Sequence, residues 1–263
     1  MRKDTGKSAD ERGVVVVHGG PGGIGSAAGL AAGLAGLEGI RVLEPWQSRY
    51  SVAELRDELA AQIDAAGFAG PVVLIGHSWG AWLAALVAGA YREKVERLIL
   101  VGGGPLRAGY DVDAVRRSRF SPEDAAEFAR LAARLGACAE DECDALLGQL
   151  GAICEKADTF CLAPAVPEKA SRYDVKMFRD VWGEAARMRR TGELERIFSR
   201  LDVPVTVIHG DYDSHPADGV STVLAEHGIP FRYHLLERCG HTPWREAYAA
   251  EPFFEILRRE VTP

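Results

Sequence analysis

The sequence predicts an α/β fold built on a mostly parallel sheet, and three observations lead there. Short β-branched runs bounded by glycine or proline recur along the chain, each followed by helical sequence or a loop. These runs fall into two blocks, one before residue 105 and one after residue 200. Between the blocks, the residues read as helices with no convincing strand. The expected organisation is a core formed by residues 1–104 and 201–263, carrying a helical lid at 105–200.

Taken in order, the polar start MRKDTGKSADERG lacks the apolar centre of a secretory signal and reads as a short flexible leader. GVVVVHG is the first strand; it breaks into the glycines of HGGPGGIG and resumes as a small-residue helix. IRVLEP is the second strand and ends at Glu44. The next helix opens with a capping box, Ser51 to Glu54, and stops at Gly67. Its apolar face carries Val52, Leu55, Leu59 and Ile63. PVVLIGH and ERLILVGG supply two more strands.

In the middle segment, Ser121 as N-cap and Pro122 at the first helical position open SPEDAAEFARLAARLG. Further helices are expected around Asp141–Lys156, Asp174–Arg190 and Glu193–Arg200. VPVTVIHGDYD and IPFRYHLLERCGH are the last strands, and a helix over about Ala249–Glu260 closes the chain. The sum is about six parallel strands, with the strand of Val42 and Leu43 at the edge. An exposed edge invites pairing, so a homodimer through that strand is an expectation.

The bulk numbers exclude some classes. With 263 residues, 47% hydrophobic and 26% charged, the chain is long enough for a large core. A formal charge of -7 gives no electrostatic reason to expect nucleic acid. No apolar run approaches the roughly 18 residues of a membrane span, so a cytoplasmic protein with a small-molecule partner is expected. Four of the five cysteines, Cys138, Cys143, Cys154 and Cys161, lie close together. They form no C-x-x-C pair and enclose no histidine, so buried free thiols are expected there rather than a metal site.

Two motifs compete for the chemistry. Gly20, Gly22 and Gly25 spell G-x-G-x-x-G after a strand, and Glu44 lies at a distance suited to a ribose, which would suit a nicotinamide or flavin enzyme. Pro21, however, removes an N–H where a phosphate would want donors. The other motif is Gly76-His77-Ser78-Trp79-Gly80, G-x-S-x-G between an apolar strand and an apolar helix. That context makes a nucleophile elbow, with the Ser78 hydroxyl above the sheet and the Trp79 N–H as an oxyanion donor.

With these residues the chain resembles the α/β-hydrolase superfamily over nearly its whole length. The resemblance implies the order serine, acid, histidine, with no cofactor. It places the histidine at His241 in CGHTPWRE and, by the spacing H-G-x-x-D, the acid at Asp213 in VIHGDYDSHP. Asp211 is the reserve acid, since a shift of two residues in a loop stays open. Ser78 would attack, His241 would take its proton, and Asp213 would hold the imidazole in one tautomer. The resemblance also puts the second oxyanion donor at Gly20. It matches GVVVV to the third strand of the family, so two opening strands are expected to be missing, and it inserts the lid between the sixth and seventh family strands.

HGGPGG with SWG is most similar to the proline iminopeptidase-like branch, whose acidic lid residues bind a free amino group. That likeness singles out Glu184 and Glu193 for a substrate ammonium, although Arg187, Arg189 and Arg190 could neutralise them instead. The elbow departs from the branch, which usually has glycine where His77 stands. His77 is expected to line the pocket, His18 and His209 to brace loops, and His215 to serve a turn or support the acid. His227 and His234 read as surface or strand positions. The expected activity is hydrolysis of an ester, amide or lactone of a small molecule through an acyl-enzyme. A lyase or cofactor-free oxygenase on the same fold is the alternative.

Overall fold

The computed structural model describes residues 11–138, 140–164 and 172–262. Residues 1–10 of the polar leader therefore lie outside the described residues. Strand β1 (Arg12–Val17) runs into a glycine loop holding β2 (Gly23–Ile24), followed by helix α1 (Ala28–Leu34) and β3 (Ile40–Leu43). Then come α2 (Val52–Ala66), β4 (Val72–His77), α3 (Trp79–Ala90) and β5 (Val95–Val101). The middle segment holds α4 (Val112–Arg117), α5 (Pro122–Leu135), α6 (Glu140–Asp158), β6 (Arg172–Tyr173), α7 (Val175–Arg190) and α8 (Glu193–Phe198). The chain ends with β7 (Val205–Gly210), α9 (Asp218–Glu226), β8 (Phe231–Leu236) and α10 (Ala250–Val261).

Six strands form one sheet in the order β3-β1-β4-β5-β7-β8. Every neighbouring pair is parallel. The strand of Val42 and Leu43 is at the edge, as its sequence predicts. Both faces are covered, which explains the continuous apolar runs. In β1 the alternation of a strand sends Val15 and Val17 to one core and Val14 and Val16 to the other. Helices α2, α3 and α9 pack on the first face, and α1 and α10 on the second.

Local signals in the sequence fix several boundaries. The Ser51 side chain accepts the Glu54 N–H, and Gly67 ends α2 in the left-handed conformation at φ 61°. Ser121 caps α5 and Asp174 caps α7 in the same way.

Two expectations for the middle segment need correction. It contains a strand after all: β6 pairs antiparallel with β2, Gly23 facing Tyr173 and Ile24 facing Arg172. Two residues are too few to show a period, so the strand leaves no pattern. Gly22, at φ +80°, packs on the Asp174 carbonyl there, leaving no room for a Cβ. The cysteines are also not all free, because Cys138 and Cys143 form a disulfide. Five residues apart, they sit across the turn from α5 to α6, which brings their Cα atoms to 5.7 Å. Cys154 and Cys161 are free but only half-buried.

Candidate active site

Strand β4 delivers Ser78 to the sheet's carboxyl edge in a strained conformation, φ 55° and ψ -120°. The strain is held by main-chain bonds: the Ser78 N–H donates to the Val101 carbonyl at 2.9 Å, and the Ser78 carbonyl accepts the Ala81 N–H at 3.0 Å. The flanking glycines are sterically required. A Cβ on Gly76 would strike the Gly80 carbonyl, and one on Gly80 would strike the carbonyls of Val17 and His18. Trp79 follows as the first residue of α3, where a helix leaves N–H groups unpaired. Its indole donates to Gln47 at 3.1 Å, and the Gln47 amide nitrogen lies 3.4 Å from the His18 carbonyl. Gln47 thus braces the loop after β1 against the elbow.

Ser78, Gly20, His77 and His241 line one cavity of about 310 Å³. Gly20 adopts φ +53° there, and neither its N–H nor that of Trp79 is engaged among the described residues. Of the remaining glycines of the G-x-G-x-x-G spacing, Gly22 abuts Asp174 as above. The glycine loop is therefore packed against the elbow and the start of α7.

The acid–histidine pair comes from the loops after β7 and β8. His241 Nδ1 lies 2.8 Å from Asp213 Oδ2. A carboxylate only accepts, so Nδ1 carries the hydrogen and the neutral ring keeps a lone pair on Nε2. Asp211 does other work, accepting the Cys239 N–H at 3.1 Å and tying the two loops together. The Asp213 side chain is fully buried. Its second oxygen accepts the His215 N–H at 2.8 Å and the His215 Nδ1–H at 3.0 Å. His215 also stacks on the His241 ring, centroids 4.3 Å apart. The Asp213–His215–His241 ligand atoms lie within 4.8 Å of one another, and the two carboxylate oxygens are engaged by these histidines, Oδ1 by two hydrogen bonds and Oδ2 by one. Gly102 (φ +54°) gives the cluster room, since a Cβ would sit 3.1 Å from both Asp213 Oδ2 and His241 Nδ1.

The electrostatics separate the histidines. Burial opposes ionisation of Asp213, but the His241 and His215 rings and their hydrogen bonds outweigh it and hold the carboxyl well below its usual range. For His241, burial disfavours the imidazolium, and Asp213 overcomes this to raise the pKa above 6.5. Burial and then the neighbouring His241 push His77 down to about 3. Burial likewise lowers His209 to about 4. Of these rings, His241 is the one whose pKa is raised.

Residues 14–244 match the family described as the alpha/beta hydrolase fold. The chain belongs to that family. Among solved structures it is similar to VinJ, with 19% identity over 98% of this chain and 92% of that one, TM-score 0.65. It is also similar to a thermophilic esterase from Thermogutta terrifontis, 20% identical over 96% and 91%, TM-score 0.60. A third likeness is Est816, described as an N-acyl homoserine lactone degrading enzyme, 18% identical over 95% and 93%, TM-score 0.58. A comparison with curated proteins finds no match.

The structure brings Ser78, His241, Gly20 and His77 to one cavity of this hydrolase fold, with Asp213 behind His241. It places Glu184 and Glu193 of the middle segment elsewhere. Glu184 accepts the Val52 N–H at 2.8 Å, capping α2, and Glu193 pairs with Arg187 at 3.1 Å. His18 is buried against its own loop, and His227 pairs with Glu195. Sequence reasoning missed the charged residues that do line the cavity: Arg116 with Asp158, and Arg245 with Glu155. It also missed Glu246, which is fully buried and accepts the N–H groups of Phe160, Cys161 and Gly240. No local motif announces these pairs, because their partners lie far away in sequence.

Proposed function

We propose that the protein is a serine hydrolase that cleaves an ester or lactone of a small molecule through an acyl-enzyme. The observation that carries this reading is the strained Ser78 facing the same cavity as His241, whose Nδ1 is bonded to the buried Asp213. In this reading the Ser78 oxygen attacks the carbonyl carbon while His241 Nε2 takes its proton. The carbonyl oxygen becomes an oxyanion cradled by the N–H groups of Gly20 and Trp79, each worth a few kcal/mol in such sites. The intermediate collapses, the bond to the leaving group breaks, and His241 returns the proton to that group. Water, deprotonated by His241, then attacks the acyl-enzyme and releases the acid and free Ser78. Asp213 holds the ring and stabilises its cationic form throughout.

Helices α4–α8 serve as the lid in this scheme. The reading favours esters and lactones over aminoacyl amides on electrostatic grounds. An ammonium would need a free carboxylate, whereas Asp158 is paired with Arg116 and Glu155 with Arg245. The proline iminopeptidase-like reading loses its support with Glu184 and Glu193 engaged outside the cavity. Solved structures of an esterase and a lactone-degrading enzyme share the fold, which agrees with this choice.

The test is labelling with a fluorophosphonate, followed by a screen of short acyl esters, lactones and aminoacyl amides. Labelling and ester turnover should both vanish in Ser78→Ala. Labelling that is indifferent to this change would sink the reading.

A further inference from the structure

Beside the Ser78 cavity lies a second chamber of about 760 Å³, and the two share Arg116, Gly151, Cys154 and Phe178 as walls. The larger chamber is mostly apolar and aromatic. Trp182 lies parallel to Trp82 with ring centroids 5.8 Å apart, and Phe128, Leu147 and Leu150 add to the lining. Such a space, adjoining the Ser78 cavity across shared wall residues, fits an organic substrate arm rather than a short acyl group.

The charges on its walls are unequally satisfied. Asp111 caps α4 by accepting the Ala114 N–H at 2.8 Å, and Asp113 lies 3.4 Å from Arg116. Arg116 is bound to Asp158 and His215 to Asp213. Arg189, from the last turn of α7, lines the same chamber, and its side chain makes no hydrogen bond or ion pair among the described residues; the Asp113 carboxylate acts on its charge only from a distance. Its Nε is buried without a partner. Helix α7 favours cations at this end, but Arg187 and the exposed Arg190 serve that role without entering the chamber. A guanidinium keeps its charge at any physiological pH, and its fork matches an anion with two oxygens. Half-withdrawn from water, with no hydrogen-bonded or ion-paired partner and only the more distant Asp113 to offset its charge, it can receive an anion.

We propose that the chamber receives a substrate arm ending in a carboxylate, bound by Arg189, while the scissile carbonyl lies at Ser78. The inference rests on the serine hydrolase reading above and names the substrate class for it: an ester or lactone with an apolar arm and a distal anion. The aromatic wall binds the arm, and the arginine selects its end.

The experiment compares p-nitrophenyl esters of ω-carboxy acids with methyl-ended esters of equal length, across a series of chain lengths. A second series places the carboxylate on the alcohol side of the bond. Wild type should favour the carboxylate-ended member of at least one pair by about tenfold or more in kcat/KM, the scale of a charge-assisted hydrogen bond. Arg189→Gln should erase that preference while hydrolysing p-nitrophenyl acetate at the wild-type rate. With esters that the wild type does hydrolyse, absence of preference in both series, or a preference that survives in Arg189→Gln, overturns the proposal. Calorimetric titration of Ser78→Ala with suberate monomethyl ester separates the two readings. Binding that Arg189→Gln weakens about tenfold, in a protein whose wild type hydrolyses no ester, upholds the subsite and rejects the hydrolase. Ester turnover lost in Ser78→Ala, with no carboxylate preference, rejects the subsite alone.

Discussion

The Gly240 N–H donates to the Glu246 carboxylate at 2.8 Å, one residue before His241. The same carboxylate accepts from Phe160 at 2.8 Å and Cys161 at 2.7 Å, just after α6. The His241 N–H meanwhile donates to the Asp158 carbonyl at 2.8 Å. The end of α6 and the histidine loop are thus one hydrogen-bonded knot, and a Cβ on Gly240 would sit 2.6 Å from Glu246 Oε1. Glu246→Gln turns one acceptor into a donor facing N–H groups, which should cost about 1–3 kcal/mol. Urea unfolding reads that cost, and kcat should fall with KM little changed as the ring loses its seat. A variant of wild-type stability and kcat refutes the role.

Activity should depend on pH through His241. Its pKa is raised above the ordinary 6.5, so the neutral form that takes the Ser78 proton in the proposed mechanism accumulates only above that value. The acid limb of kcat/KM should therefore centre above pH 6.5; a limb at or below 6.5 contradicts the assignment. The linkage to stability has two signs. The raised His241 contributes stability below its unfolded value, lost as pH rises through its folded pKa. The depressed Asp213 contributes stability above its unfolded value, lost as pH falls through its folded pKa. Asp213→Asn should remove both contributions and lower kcat by roughly 10⁴-fold, as loss of the tautomer-fixing acid does elsewhere.

The elbow glycines carry a steric prediction. Gly80→Ala places a methyl against the Val17 and His18 carbonyls, backbone atoms at the carboxyl end of β1 that cannot swing aside. Overpacking of this kind should cost about 3 kcal/mol or prevent folding. Gly20→Ala meets nothing within 4 Å, and its cost should come only from φ +53°. Thermal unfolding should therefore rank Gly80→Ala well below Gly20→Ala, and the reverse order would be wrong for this geometry.

What was legible in the sequence was what short range determines. The β-branched runs became the six strands, the Ser51–Glu54 box became the start of α2, and the elbow glycines bracketed Ser78. The family spacing H-G-x-x-D pointed to Asp213, with Asp211 in reserve, and it is Asp213 that meets His241. The rest depends on contacts that only folding creates. Arg116 and Asp158 are 42 residues apart, and Glu246 is 86 from Phe160. A lone arginine or glutamate in a helical or loop segment reads as solvated surface until its partner is known. The pairing of β2 with β6 is hidden for a different reason, since two residues show no period. Helices α4 and α9, of six and nine residues, are similarly too short for a face to stand out.

The Arg116–Asp158 pair offers the sharpest test of how the cavity wall tunes the histidine. Arg116 Nη2 lies 2.6 Å from Asp158 Oδ2, and the carboxylate side chain is only 6% exposed. Breaking a buried pair strands the remaining charge, so Arg116→Met should cost about 3 kcal/mol or more. The double variant Arg116→Met with Asp158→Leu removes both charges and should cost less than the sum of the two single variants. The same substitutions act on His241 with opposite signs, because Asp158 raises its pKa and Arg116 lowers it. The acid limb should therefore move to higher pH in Arg116→Met and to lower pH in Asp158→Asn. Urea titrations give the coupling, and pH–rate profiles of the folded variants give the shifts. Limbs that move together, or not at all, would show that the pair braces α4 against α6 without reaching the histidine.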